Sequence, residues 1–276
     1  MRIILDGSVS TVKRVRVTLG TLVAIEATAA SPHNADAAID AAFGAISGVE
    51  RRMHPQKAGS DLARINESPP RVPIKVHASV GQLLNLAHRL FELTDGVFDP
   101  CLPAQPGRLS DVHVSGDETE VVCQAPVALD FGGFAKGFAV DCAVEALMAS
   151  GCTAGLVNAG GDLRVFGPHT EPLFVREPAG ELTNIALTDA ALAVSDAGSR
   201  QRPPEHQGYY VRGLDTSAPT GWTPAAVLHV SYAAVIAKTA VAADALVKCV
   251  LLCPPPVAAR TLRALGAFSC PRFGTR

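Results

Sequence analysis

Apolar and polar residues alternate at the start of the chain. Val15, Val17 and Leu19 are separated by single polar residues, and a more apolar run continues over residues 22–27. A period of two is typical of a β-strand. The chain is therefore predicted to open with a β-hairpin or a bent strand.

Two helices are predicted next, because apolar residues recur at intervals of three or four positions. The first has Asn34 as its expected N-cap, and its apolar face comprises Ile39, Phe43, Ile46, Val49 and Met53. The second runs from Ser79 to Leu93, and its apolar face comprises Val80, Leu83, Leu84, Ala87, Leu90 and Phe91.

A strand, a glycine turn and a helix follow one another in the middle of the chain. The apolar run at residues 127–129 ends in Asp130, and a glycine pair follows. The helix after this turn is predicted to last until Ser150. It stops at Gly151, because glycine readily adopts the left-handed conformation at a helix C-terminus.

The rest of the chain mixes strands and helices. Short strand-like runs lie at residues 154–157, 163–166, 173–175, 185–187 and 227–237. A helix over residues 239–252 is stopped by three consecutive prolines. Because regular βαβ alternation is lacking, we predict a single compact α+β domain with mixed β-sheets and flanking helices. Residues 198–224, rich in Pro, Gly, Ser and Gln, are predicted to form a mobile insertion or lid.

Length and composition are those of a soluble enzyme. The chain has 276 residues, of which 48% are hydrophobic and 18% charged, which argues against disorder and allows a sizeable core. The net charge is −2, and basic residues cluster only in pairs, so nucleic acid is not an expected partner. No apolar run reaches the length of a membrane span.

The number of cysteines indicates the redox state of the compartment in which the protein is expected. Seven of them, an odd number, do not resemble the paired framework of a small secreted domain and suit a reducing compartment. We expect Cys249 and Cys253 to pack in apolar surroundings rather than to bind a metal. Neither a signal sequence nor a lipoprotein cysteine is visible in the first residues. The expected location is the cytoplasm, or the periplasm if a leader has been removed.

Two glycine turns are candidates for an anion-binding site. Glycines after a strand let backbone N–H groups approach a phosphate, and the positive end of a helix dipole favours negative charge. Lys136, near the start of the central helix, is within reach of the same anion. The second turn runs from Asn158 to Asp162 after another strand-like run. Either turn by itself is more typical of plain turn chemistry, and neither the GK[ST] ending of a P-loop nor a GxGxxG motif is present.

The segment from Leu129 to Asp162 resembles the central motif of the ApbE family of flavin transferases. Other stretches agree in order: Leu19-Gly20-Thr21, Ser60-Asp61-Leu62-Ala63-Arg64-Ile65-Asn66, Thr94-Asp95-Gly96-Val97-Phe98-Asp99-Pro100 and Ala243-Asp244-Ala245-Leu246. The resemblance covers residues 15–165 well and 230–252 moderately. It implies an ApbE-like flavin transferase domain over residues 15–276, after an N-terminal extension over residues 1–14.

The resemblance also implies an activity. Enzymes of this family take FAD, release AMP and attach FMN through a phosphoester to a Thr or Ser of a target protein. FAD is then a substrate, Mg²⁺ a cofactor and a target flavoprotein the partner. Moving a phosphoryl group between oxygens requires charge neutralisation and in-line positioning more than it requires covalent chemistry.

Site residues follow by the same resemblance. Those implied in binding the flavin nucleotide are Leu19, Val97, Phe98, Asp99, Asp130 and Lys136. The implied Mg²⁺ ligands are the backbone carbonyl of Gly133 and the carboxylate of Asp244, both oxygen donors of the kind that this ion prefers. Without the resemblance, a lone Asp on a helix is more typical of a solvated or capping carboxylate.

Several positions depart from the family pattern. The Thr that usually follows the metal-binding Asp by four positions is Lys248 here, which on a helix is placed to pair with Asp244. The usual aromatic residue over the flavin is replaced by Gln56, which removes stacking surface. The family's Thr-Ser-Gly turn has only a loose counterpart at residues 195–198.

The His-containing segment of the family, to which the catalytic base is often assigned, is also changed. Leu214 stands at the place of the histidine, and only Thr220-Gly221 is retained. His206 or His229 is an alternative source of an imidazole base. No catalytic residue is therefore assigned from the sequence.

Two functions remain open. The first is a Mg²⁺-dependent FAD:protein FMN transferase, in which Lys248 replaces part of the charge of the metal. The second is a non-catalytic relative that binds a flavin nucleotide or another phosphate ligand.

Overall fold

The computed structural model describes residues 9–102, 104–196 and 229–270. Its strands are β1 (Ser10–Thr18), β2 (Thr21–Ala29), β3 (Ile74–Lys75), β4 (Val112–Val114), β5 (Glu120–Cys123), β6 (Ala154–Ala159), β7 (Asp162–Phe166), β8 (Glu171–Arg176), β9 (Leu182–Leu187), β10 (Ala191–Asp196), β11 (Tyr232–Ala237) and β12 (Phe268–Ser269). Its helices are α1 (Pro32–Met53), α2 (Asp61–Glu67), α3 (Ala78–Leu93), α4 (Ala135–Ala149), α5 (Ala240–Leu252) and α6 (Pro255–Ala264). The predicted α+β class is confirmed.

The main sheet has seven strands in the order β1-β2-β6-β7-β10-β11-β12, each antiparallel to its neighbours. Helices α1, α4 and α5 pack together and against one face of this sheet. On the other face, Val175 of β8 and Leu187 of β9 pack with strand residues of a second, smaller core. The central strands are therefore buried on both faces, which explains their apolar runs.

The first strand begins at Ser10, five residues before the predicted alternation. Thr18 pairs with Thr21, so Leu19 and Gly20 form a two-residue turn, in which both have a positive φ. The apolar side chains Val15 and Val17 are exposed. The opposite face contacts α1, where the guanidinium of Arg16 lies 4.3 Å from the ring centroid of Phe43. The proposed boundary between residues 14 and 15 stays a prediction.

Most predicted helix ends are confirmed, with one correction. The N-cap of α1 is Ser31, not Asn34, because the hydroxyl of Ser31 accepts a hydrogen bond from the backbone N–H of Asn34 at 3.1 Å. Asn34 lies inside the first turn, where its own side chain cannot cap. Helix α4 ends as predicted before Gly151, whose φ is 84°.

Several elements were not predicted. The helices α2 and α6 and the strands β3, β4, β5, β10 and β12 are additional to those expected. Pro254 precedes α6 and Pro255 begins it, so the prolines that stop one helix also start the next. Strand β11 begins only at Tyr232, later than predicted. The predicted strand over residues 127–129 is wrong, because only Leu129 pairs there, in an isolated antiparallel bridge with Cys101. The predicted lid at residues 198–224 lies outside the described residues.

All seven cysteines lie within the described residues. Cys249 and Cys253 are buried in the main core, as expected from the sequence. Within the described ranges, no helix is long and apolar enough to cross a membrane.

Helices α4 and α5 approach closely at Gly137. A Cβ atom at this position would lie 2.3 Å from the carbonyl oxygen of Ala240 and 2.8 Å from Cβ of Asp244. No side chain fits between the two helices here, which accounts for a glycine inside a helix despite its conformational cost.

We expect Gly137→Ala to destabilise the protein by about 1–3 kcal/mol, since the added methyl forces α4 and α5 apart. Gly44→Ala is the matched control, because Gly44 is exposed in α1 and a Cβ there meets nothing within 4 Å. The control should instead stabilise by about 0.5–1 kcal/mol. Urea unfolding of both variants measures the difference, and equal effects would contradict the close helix contact.

Candidate functional site

Each of the helices α4 and α5 is capped by a carboxylate from the other. Asp141 of α4 accepts hydrogen bonds from the backbone N–H groups of Ala240 and Val241, at 2.9 and 2.8 Å. Asp244 of α5 accepts one from Gly137 at 3.0 Å. Helix α4 has no side-chain cap at Phe134. Asp244 therefore satisfies a donor in the first turn of α4 that would otherwise be unpaired.

Asp141 also forms an ion pair with Arg164 of β7, at 2.8 Å. Burial raises the pKa of Asp141, and this effect is opposed by the two backbone hydrogen bonds and by Arg164. The pair fixes the helix layer against the sheet beside the second glycine turn.

Two more ion pairs lie where α4, α5 and β7 meet. Nζ of Lys136 lies 2.7 Å from Oδ2 of Asp162. Lys248 contacts Oδ1 of Asp244, a carboxyl with no exposed surface. Burial, followed by the charge of Asp162, raises the pKa of Asp244, while Lys248 and Lys136 oppose this shift. The four residues thus form one mixed-charge cluster, which we call the Lys-Asp cluster.

The Lys-Asp cluster joins the two glycine turns. Lys136 lies in the first turn of α4, directly after the turn that contains Gly133. Asp162 follows the second turn, in which Gly160 and Gly161 both have a positive φ and connect β6 to β7. A Cβ atom at Gly160 would lie 2.5 Å from the hydroxyl of Thr21, so the Leu19-Gly20-Thr21 stretch reaches the same place.

Asp130 is held at the start of the first turn. It is half-buried, and its Oδ1 accepts a hydrogen bond from the backbone N–H of Gly132 at 2.6 Å. The preceding residue, Leu129, is bound through both backbone polar groups by the side chain of Asn66. This contact explains the asparagine that ends the Ser60 to Asn66 stretch. The role of Asp130 in nucleotide binding stays a prediction.

The residues expected to pack on the flavin are buried. Phe98 is 2% exposed, and its ring lies edge-on to that of Phe134, 5.5 Å between centroids. The carboxylate of Asp99 binds Nε of Arg108 at 3.1 Å and the backbone N–H of Cys101 at 2.9 Å. These contacts hold the loop after α3, and Val97 is also buried there. Contact of this segment with a flavin stays a prediction.

The structure leaves the general base open. His206, Leu214 and Thr220-Gly221 lie outside the described residues. The backbone N–H of His229 donates to the carbonyl of Leu251, at the C-terminal end of α5. Gln56 is exposed in the loop before α2.

The expected Mg²⁺ ligands do not fit a divalent ion as they stand. Both oxygens of Asp244 have partners, Gly137 and Lys248. A dication about 4 Å from the ammonium of Lys248 would be repelled by about 8 kcal/mol at an effective dielectric constant of about 20. Gly133 is buried in its turn. In the part of the chain that the structure describes, no group of three His, Cys, Asp or Glu side chains is placed to hold a metal.

Sequence reasoning did not find Asp141 and Arg164. Asp141 lies inside the Leu129 to Asp162 segment, but the resemblance implied no role for it, and its contact with Arg164 joins positions 23 residues apart. The one available signal was Gly137, since a glycine inside a predicted helix often marks a close approach of another backbone.

Comparison with known proteins places most of the chain in one family. The sequence profile of the ApbE family matches residues 19–111 and 104–269. An FAD:protein FMN transferase of Chlamydia pneumoniae is 27% identical over 208 residues, which are 65% of this chain and 63% of that protein. One of Treponema pallidum (strain Nichols) is 26% identical over 185 residues, 56% of this chain and 51% of that protein. The match spans less than two thirds of the length of both curated relatives.

The fold is similar to those of solved ApbE proteins. The flavinyl transferase ApbE of Pseudomonas stutzeri, in its apo form, superposes with a TM-score of 0.76 at 18% identity, over 95% of this chain and 91% of that one. The flavin transferase ApbE of Vibrio cholerae gives 0.72 at 18% identity, over 95% and 93%. The ApbE protein of Thermotoga maritima gives 0.68 at 21% identity, over 92% and 87%.

The burial of Asp141 has a consequence for the pH dependence of stability. Its folded-state pKa is raised above the ordinary 3.8, so the folded protein binds this proton more readily than the unfolded chain. Its contribution to stability therefore increases as the pH falls from above the raised pKa to 3.8, and is lost as the pH rises again. We expect the unfolding free energy of wild type, relative to Asp141→Asn, to increase on acidification through this window.

Asp117→Asn is a control of opposite sign. Hydrogen bonds from Ser115 and Thr119 lower the pKa of the exposed Asp117, so its contribution is lost as the pH falls below 3.8. Urea unfolding across the acidic range measures both differences. If the difference in unfolding free energy between wild type and Asp141→Asn is independent of pH, or decreases on acidification, burial does not dominate the pKa of Asp141.

Proposed function

The chain belongs to the ApbE family, and we propose that it is an FAD:protein FMN transferase that moves FMN from FAD to a Thr or Ser hydroxyl of a target flavoprotein and releases AMP. Family membership and the activity named for the Chlamydia pneumoniae and Treponema pallidum relatives support this proposal. We propose this activity and do not transfer it directly from the relatives, because the match covers only part of their length.

The observation that carries the proposal is the meeting of two glycine turns at the Lys136–Asp162 ion pair. Lys136 lies at the N-terminal, positive end of α4 and keeps 35% of its side chain exposed. A helix dipole and a half-exposed lysine side chain beside two glycine turns together suit the pyrophosphate of FAD.

The proposed reaction balances without a covalent enzyme intermediate. The acceptor hydroxyl oxygen bonds to the phosphorus of the FMN half, and the bond from that phosphorus to the bridging oxygen breaks. AMP leaves with this oxygen, and the hydroxyl proton passes to a base. The protein then contributes positioning and charge neutralisation, which dominate phosphoryl transfer.

A non-catalytic flavin nucleotide carrier is the second candidate. The contact between Lys248 and Asp244 favours this carrier, because Lys248 binds an oxygen of the carboxylate for which the resemblance implied a metal. Mg²⁺ dependence is accordingly not part of the proposed function. The cytoplasmic location stays a prediction.

A transfer assay separates the two candidates. We expect incubation with FAD and an acceptor domain used by a characterised ApbE flavin transferase to raise the mass of that domain by one FMN unit, with release of an equal amount of AMP. Mass spectrometry and nucleotide chromatography measure the two products.

The control for this assay is an acceptor whose Thr is replaced by Val, which removes the hydroxyl and keeps the shape. FAD binding without a mass change of the intact acceptor would support the carrier and reject the transferase.

The nucleotide is expected to bind through its pyrophosphate. FAD should then raise the melting temperature more than riboflavin does, because riboflavin lacks the phosphates and stabilisation follows affinity. Asp130→Asn should weaken FAD binding and leave the fold intact, since an amide oxygen can still accept from the backbone of Gly132. Isothermal titration and thermal unfolding check both points, and an unchanged FAD affinity would remove Asp130 from the site.

A further inference from the structure

Resting on the proposed function, we infer that Lys248 supplies at the pyrophosphate site the positive charge that a divalent cation would otherwise supply, so that FAD binding does not depend on Mg²⁺. The inference concerns the Lys-Asp cluster, and it starts from the charge balance of that cluster.

The Lys-Asp cluster is neutral by itself. It contains the carboxylates of Asp162 and Asp244 and the ammonium groups of Lys136 and Lys248, each carboxylate in contact with one ammonium. A bound dication would add two positive charges to groups that are already compensated. A pyrophosphate instead brings negative charge, and an ammonium with three N–H donors can bond a phosphate oxygen while it stays paired with its carboxylate.

Lys248 also covers the carboxylate that a metal would need. Asp244 has no exposed surface, and its Oδ1 is in contact with the ammonium of Lys248, whose side chain is 12% exposed. The other oxygen of Asp244 accepts from the backbone of Gly137. A metal could reach Asp244 only by displacing Lys248, which would bury its charge without a partner or force it out to water.

An ammonium group can supply part of the positive charge that the metal would supply to the pyrophosphate. Lysine carries a compact charge with three N–H donors and binds phosphate oxygens as a point charge. Lys136 of α4 and Lys248 of α5 lie on neighbouring helices, and each contacts one carboxylate of the Lys-Asp cluster. Their common location beside the glycine turns is where the proposed pyrophosphate binds.

Two substitutions and a matched control test the inference. Lys248→Thr removes the charge and introduces a hydroxyl oxygen, whereas Lys248→Arg keeps the charge. Lys13→Thr removes the same charge from the exposed edge strand β1, where Lys13 is 58% exposed and pairs with Glu26. Thermal unfolding first verifies that each variant is folded.

The first measurement uses metal alone. Mn²⁺, a spectroscopic substitute for Mg²⁺, is titrated into each nucleotide-free protein and followed by electron paramagnetic resonance. We expect no site in wild type, Lys248→Arg or Lys13→Thr, and one site in Lys248→Thr, where Asp244 is freed to offer oxygen to the ion. Mn²⁺ binding to wild type as tight as to Lys248→Thr overturns the inference.

The second measurement is FAD affinity by isothermal titration, in EDTA and in Mg²⁺. Wild type, Lys248→Arg and Lys13→Thr should bind FAD equally in both buffers. Lys248→Thr should bind about tenfold more weakly in EDTA, the scale of losing one charged hydrogen bond, and should recover in Mg²⁺. A wild type that needs Mg²⁺ as strongly as the variant, or a Lys248→Thr variant that behaves as wild type, overturns the inference.

The two proposals fail in different ways. If wild type binds FAD and transfers FMN but requires Mg²⁺ for binding, the role of Lys248 is wrong and the proposed transferase activity is unaffected. Absence of FAD binding in every protein and buffer removes the transferase, and the Mn²⁺ titration then decides whether Lys248 excludes a divalent ion from Asp244.

Discussion

The reciprocal capping of α4 and α5 is the contact on which the rest of the site depends. Asp141 binds the start of α5, and Asp244 binds the start of α4 through the N–H of Gly137. Because both helices also pack against the main sheet, these bonds fix where α4 begins. The first glycine turn and Lys136 are attached to that end, so their position follows from it.

Buried carboxylates impose a second requirement, which is compensation of their charge. Removal from water raises the pKa of both Asp141 and Asp244, so each needs hydrogen bonds and a cation to remain ionised. Arg164 provides the cation from the sheet, and Lys248 provides it from the same helix. These ion pairs keep the two carboxylates available as acceptors for backbone N–H groups of the facing helix.

The site combines two kinds of glycine. Gly137 allows two helices to touch, and the Gly160 and Gly161 turn allows a tight reversal beside Thr21. Glycine has no side chain to bind a ligand, but at these two places it allows backbone groups to lie close to the Lys-Asp cluster. For the proposed phosphoryl transfer, which depends on positioning and charge, this close approach of the backbone matters more than any single reactive side chain.

The sequence alone determined the class of fold, the family and most helices and strands, since these follow from local periodicity, glycine turns and contiguous motifs. It misplaced the cap of α1 by three positions, because Ser31 and Asn34 are both good caps and only the geometry of the turn distinguishes them. The alternation in β1 correctly indicated a strand, but not that Val15 and Val17 face solvent. Tertiary structure alone decided the pairing of Asp141 with Arg164 and the burial of Asp244 under Lys248, because desolvation and long-range contacts are properties of the packed chain and leave no periodic trace along it.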